Sequence, residues 1–149
     1  MKTLLALMLG LLAGTLLAAP RPKDEKDKDD LKKFDGNWTF SSWQHSGLPL
    51  AAISLESAKW SVKGDKYTFE ISGVKEEGTL KLDSTKKMAT IDLAITSGND
   101  EGSTQLGIYK FDGEALVFCF SRPGVKDRPT EFTTTEENAN ILVTIKRTK

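Results

Sequence analysis

The sequence predicts an all-β domain, an eight-stranded antiparallel up-and-down barrel, and three observations carry that prediction. After Gly36, apolar residues recur at a spacing of two, the period with which side chains alternate across a strand. Clusters of Gly, Asp, Asn and Lys interrupt the alternation roughly every ten to twelve residues, the rhythm of short strands joined by turns. Most of the interruptions are too short for the crossovers of a sandwich, and closing sequential strands into a barrel removes the edges that would template aggregation.

Two segments precede the strands. Met1-Lys2 carries one positive charge, residues 4–17 form an apolar run without a charged residue, and Ala18-Ala19 are small. That layout is a secretory signal peptide over residues 1–19, cut after Ala18 or Ala19, and its apolar run of about 14 residues is short for a membrane span. Export to an extracytoplasmic place, periplasmic or secreted, follows as an expectation, with no transmembrane span in the mature chain. Residues 20–33 hold six basic residues, five acidic ones and a single apolar residue, Leu31. Such a stretch buries too little to offset its ordering entropy, so it predicts a charged flexible linker with a helical turn at most near residues 29–34. The barrel domain then spans 34–149.

In the first strand Trp38, Phe40 and Ser42 alternate with Thr39, Ser41 and Trp43; in the second Ala58, Trp60 and Val62 alternate with Lys59, Ser61 and Lys63. The Lys63-Gly64-Asp65-Lys66 turn leads into Tyr67, Phe69 and Ile71, making a hairpin. Leu80 and Leu82 mark the fourth strand, and Ile91, Leu93 and Ile95 the fifth. Residues 106–111 and 115–121 flank Asp112-Gly113, the strongest short hairpin signal in the chain, and residues 141–147 are the eighth strand. An even loop in that hairpin puts Tyr109 and Phe111 on the face of Leu116, Phe118 and Phe120, leaving Leu106, Ile108, Val117 and Cys119 on the other. A wall apolar on both faces needs cover on both. Residues 48–55, with Pro49 and an Ala pair, are the expected cover, or a lid if they lie over an open end. Pro123, Gly124 and Pro129 exclude a central strand at 122–130, and residues 133–138 suit one helical turn capped by Thr134 or Thr135.

Charge excludes some functions. Without the leader the chain has 20 basic residues against 21 acidic ones, so neither nucleic acid nor an anionic membrane is an electrostatically driven partner. One His and one Cys cannot supply a zinc site of three or four good ligands, and no metal or other cofactor is expected. His45 lies near the end of the first strand and no Gly-x-Ser-x-Gly elbow occurs, so nucleophilic catalysis is not expected. Cys119 between two Phe residues reads as a buried thiol without a disulfide partner. The tract 97–102 lacks the spaced ligands of a calcium loop and reads as a polar turn. Arg122, Lys126 and Arg128 form either a solvated loop or an anion clamp. Glu76-Glu77 and Glu136-Glu137 are expected in turns, with no apolar setting to separate their pKa values.

The runs Asp30-Leu31-Lys32-Lys33-Phe34-Asp35-Gly36-Asn37-Trp38, Lys63-Gly64-Asp65-Lys66-Tyr67, Gly107-Ile108-Tyr109, Asp112-Gly113, Cys119-Phe120 and Arg128-Pro129-Thr130-Glu131-Phe132 resemble an uncharacterised extracytoplasmic domain family abundant in Planctomycetes. The resemblance spans about residues 30–146 and implies family membership without an activity. Gly36-x-Trp38 also resembles the opening of lipocalins, whose barrels end with a basic residue packed over that Trp. The resemblance implies that Trp38 and Arg147 form a structural plug at a closed end, their cation–π contact contributing roughly 0.5–2 kcal/mol.

The interior set expected of this barrel is Trp38, Phe40, Trp60, Phe69, Ile71, Leu82, Leu93, Tyr109, Phe118 and Phe120. An eight-stranded barrel is either filled by its side chains or holds one small ligand. The expected function is an exported, non-enzymatic, lipocalin-like binding protein. It would hold a small apolar or amphipathic molecule against Phe40, Trp60, Phe69, Ile71, Leu93, Tyr109, Phe118 and Phe120. The alternative is a filled barrel acting as a protein-interaction or cell-envelope module whose partner is an envelope protein.

Overall fold

The computed structural model describes residues 23–149, so the expected leader lies outside the described residues. In chain order the elements are α1 (Lys23–Phe34), β1 (Gly36–His45), β2 (Leu48–Pro49), α2 (Ala52–Ser57), β3 (Lys59–Lys63), β4 (Lys66–Ile71), β5 (Val74–Asp83), β6 (Ala89–Ser97), β7 (Thr104–Asp112), β8 (Ala115–Phe120) and β9 (Ile141–Arg147). Each barrel strand pairs antiparallel with the next, and β9 returns to pair with β1, closing an eight-stranded up-and-down barrel. The two-residue β2 is a flap on the end of β1, with His45 opposite Leu48. No helix among the described residues is long and apolar enough to cross a membrane.

Turn chemistry sets the register. Lys63 faces Lys66, Ile71 faces Val74 and Asp112 faces Ala115, so three hairpins close through two residues each. Gly64 (φ 62°) and Gly113 (φ 58°) open two of them in the left-handed region that such turns demand. The last turn is thus Gly113-Glu114 rather than Asp112-Gly113. It is even, and Tyr109 stands opposite Phe118 on the inner face.

One end of the barrel is shut by α1, a 12-residue helix where the charge pattern predicts a linker. Asp27, Asp30, Leu31 and Phe34 lie at i, i+3, i+4 and i+7, one face of a helix. Asp27 accepts hydrogen bonds from the Ser84 amide and hydroxyl at 2.9 Å, and Asp30 accepts from the Tyr109 phenol at 2.6 Å. Leu31 packs on the core, and Phe34 is wholly buried, edge-on to Trp60, Tyr109, Phe111 and Phe118 at 5.1–6.1 Å between centroids. Hydropathy missed this helix because half of its buried face is carboxylate.

Trp38 and Arg147 complete the closure. The Trp38 indole donates to the Phe34 carbonyl at 2.8 Å, and the Arg147 guanidinium lies 4.5 Å from the Trp38 ring. The same guanidinium donates to the carbonyls of Asp35 (2.6 Å) and Lys33 (2.5 Å), satisfying acceptors left open where α1 ends. A Cβ on Gly36 would sit 2.8 Å from Arg147 Nη1, so glycine leaves room for the fork. Arg147→Met is expected to cost about 1–3 kcal/mol in urea unfolding, by loss of the stacked cation and both hydrogen bonds. Arg147→Lys should recover less than half, because an ammonium cannot reproduce the planar fork.

The outer wall is covered, but not by residues 48–55. Ile108, Val117 and Cys119 are buried under residues 121–140, which cross the outside of β6, β7 and β8. Arg128 clips this strap to the sheet: it donates to the carbonyls of Ile91 (3.1 Å) and Gly107 (2.8 Å) and pairs with Asp92 at 2.6 Å. Lys110 lies 4.5 Å from the Phe132 ring, and the Cys119 thiol, its pKa pushed up by burial, donates to the Thr133 carbonyl. Arg128 is therefore a structural clip and not half of an anion clamp. Within the strap, Thr135 Oγ1 accepts from the Asn138 amide and the Thr135 carbonyl from the Ala139 amide, one capped helical turn. Residues 48–55 instead form β2 and part of α2, which packs beside β1 and β4 at the open end with Leu48 and Ile53 exposed.

Candidate functional site

The barrel is filled at the α1 end and hollow at the other. A cavity of about 230 Å³ opens among Phe40 and Trp43 of β1, Trp60 of β3, Tyr67 and Phe69 of β4, Glu76 of β5 and Leu93 of β6. Asp100, Gln105, Phe118, Phe120, Pro123, Ile141, Val143 and Ile145 complete its lining. A dry apolar cavity of about 150 Å³ accommodates benzene, so this one holds a single ring with a short substituent.

Of the eight residues expected to contact a ligand, Phe40, Trp60, Phe69, Leu93, Phe118 and Phe120 line this space. Tyr109 does not: it lies deeper, 3% exposed, with its phenol held by Asp30 and raised well above its ordinary pKa by burial and that carboxylate. Ile71 does not either, because it ends β4 at the two-residue turn to Val74. Trp38 and Leu82 are buried outside the cavity lining.

Trp43 enters the cavity through an irregularity that strict alternation does not foresee. Pairing of β1 with β9 slips between Phe40 and Ser42, so that Phe40 faces Ile145 and Trp43 faces Val143. The bulge at Ser41 turns Trp43 onto the face of Phe40. With Phe69 they form a triangle of half-buried rings, 5.5–5.6 Å between centroids. Below them Phe118 packs at 5.4 Å from Trp60 and stacks on Phe120 at 5.3 Å.

Two glycines give these rings their positions. A Cβ on Gly107 would come 2.4 Å from the Phe120 ring, and one on Gly78 would come 2.3 Å from the Ala94 carbonyl and 2.7 Å from the Tyr67 ring. Neither fits without moving an aromatic wall, which is why glycine interrupts two apolar strands here.

Tyr67 lies over Gly78 and donates its hydroxyl to Glu76 Oε1 at 2.8 Å. Glu76 is not in a turn, as its place in the sequence predicts; it is in β5, directly opposite Phe69, and its side chain lines the cavity. Burial and then the nearby Asp100 carboxylate raise its pKa above the ordinary value, against the lowering effect of the Tyr67 hydrogen bond. Burial and Glu76 in turn hold the Tyr67 phenol far above its usual range. Gln105, 8% exposed, donates its amide to the Ser121 carbonyl at 2.9 Å.

These shifts predict a pH signature. A raised pKa in the folded state means that folding favours protonated Glu76; its contribution is complete below the ordinary value of 4.5 and is lost as pH rises through the folded pKa. Urea midpoints of the empty protein should therefore fall across that rise relative to Glu76→Gln. Parallel profiles for the two proteins would remove Glu76 as the cause.

The remaining candidates are dispersed. His45 is exposed at the end of β1, Cys119 is sealed under the strap, and no group of three or more His, Cys, Asp and Glu among the described residues is placed to hold a metal ion. Asp100, from the tract considered for calcium, lies at the cavity instead. Comparison with protein-family models, curated proteins and solved structures finds no match to this chain.

Proposed function

We propose that this protein is an exported, non-enzymatic, lipocalin-like binding protein that holds one small apolar or amphipathic molecule in the open half of its barrel. The observation that carries the reading is the aromatic-walled cavity of about 230 Å³ with a few polar groups, Tyr67, Glu76, Asp100 and Gln105. Apolar walls supply affinity by burial while a few polar groups orient the guest. Phe34 closing the far end and the glycines at 78 and 107 suit a preformed container rather than a uniformly filled core.

Native mass spectrometry on protein secreted by its own host tests this. A reproducible noncovalent adduct absent from the denatured chain is expected, and the denatured mass also reports whether residues 1–19 are removed. A bare chain that also fails to take up single-ring apolar probes would transfer the function to the outer surface, where the exposed Leu48 and Ile53 beside the open end favour an interaction module.

A further inference from the structure

Granting the cavity-binding reading, we infer that the open half of the barrel selects small organic cations. The ligand class is an amine bearing one aromatic or short alkyl group, bound in preference to neutral or anionic molecules of the same shape.

Three observations converge on this chemistry. The titratable side chains in the lining are Glu76, Asp100 and the phenol of Tyr67; the lining has no Lys, Arg or His. The neighbouring Lys75 is paired with Glu77 at 2.9 Å and is not a lining residue. A guest with positive charge therefore meets two carboxylates and no competing cation, whereas a carboxylate guest meets like charge in a partly desolvated space.

Glu76 also has capacity left. Its Oε1 accepts from Tyr67, while Oε2 accepts no hydrogen bond among the described residues. Phe69 stands directly across from Glu76 in the β4–β5 pairing and belongs to the ring triangle with Phe40 and Trp43. Ring faces attract cations, and a carboxylate beside such faces adds a charge-assisted hydrogen bond that the neutral isostere of the guest cannot make.

Burial first, and the Asp100 charge after it, raise the Glu76 carboxyl pKa, and a bound ammonium would offset both by favouring the ionised carboxylate. A metal ion fits less well, because no cluster of three ligating side chains is present among the described residues. With about 230 Å³ the guest is a single ring or its equivalent.

Isothermal titration at neutral pH with 2-phenylethylammonium, 2-phenylethanol and phenylacetate tests the inference, since the three share a ring and differ in charge. The amine should bind about tenfold more tightly than the alcohol and the acid least. In Glu76→Gln, whose amide oxygen still accepts from Tyr67, the amine-to-alcohol ratio should fall to about one. Equal affinities of amine and alcohol in the native protein would overturn charge selection and leave the cavity reading standing. A ratio that survives Glu76→Gln and also Asp100→Asn would overturn the assignment to these carboxylates. If none of the three ligands binds, charge selection falls, and a bare native mass beside that result takes the cavity reading with it.

Discussion

Phe34→Ala should destabilise the protein by about 3–5 kcal/mol, the range for deleting a fully buried Phe from a core. The ring is 0% exposed and touches four other aromatic rings, so its loss leaves a void at the barrel's closed end that Trp60 and Tyr109 cannot fill without leaving their partners. A melting-temperature drop of about 10–15 °C corresponds to such a change in a domain of this size. The exposed neighbour Lys32→Ala gives the reference, with a change within about 0.5 kcal/mol. A drop no larger than that reference would mean that α1 is not part of the folded unit and that residues 23–34 act as the tether their charges suggest.

Val143→Trp is the second large effect, and it falls on binding. Val143 lies between Trp43 of β1 and Phe118 of β8 in the register and lines the cavity. An indole at this position occupies the guest's volume, so affinity for 2-phenylethanol or for a co-purified ligand should fall by about a hundredfold or more. The folding cost should stay within about 1–3 kcal/mol, because the added atoms enter a void rather than a filled core. Isothermal titration and urea unfolding on the same preparation separate the two effects. Retained affinity in a folded Val143→Trp protein would place the binding site outside the barrel.

Much of the architecture is legible in the chain because short-range physics determines it. Alternation fixes which residues of β3 to β9 face inward, and Gly64 and Gly113 mark the reversals. The even loop puts Tyr109 and Phe111 in step with Phe118 and Leu116. Six of the eight expected lining residues follow from that parity, since once one inward residue in a strand is known the others are counted in twos. Parity does not report depth along the barrel axis. Tyr109 and Ile71 lie on strands that contribute to the lining and still miss the cavity, one too close to the closed end and the other at a turn.

Tertiary structure decided what local pattern does not encode. The bulge at Ser41 depends on how β9 meets β1, and it brought Trp43 into the site. Helix α1 is stable because Ser84 and Tyr109, distant in sequence, satisfy Asp27 and Asp30 while Phe34 finds four rings; its own composition offers only charge. Residues 121–140 cover β7 and β8 because Arg128 reaches Asp92 and two carbonyls on neighbouring strands. Glu76 and Asp100 are separated by most of β5 and all of β6, and the antiparallel β5–β6 pairing, with Glu77 opposite Ser97, returns the chain so that both edge one cavity. The sequence by itself determined a closed wall of eight strands and most of its inner face, because alternation and turns act over two to four residues. Where the barrel is filled, where it is hollow and which charges edge the hollow were decided by contacts between residues far apart in the chain.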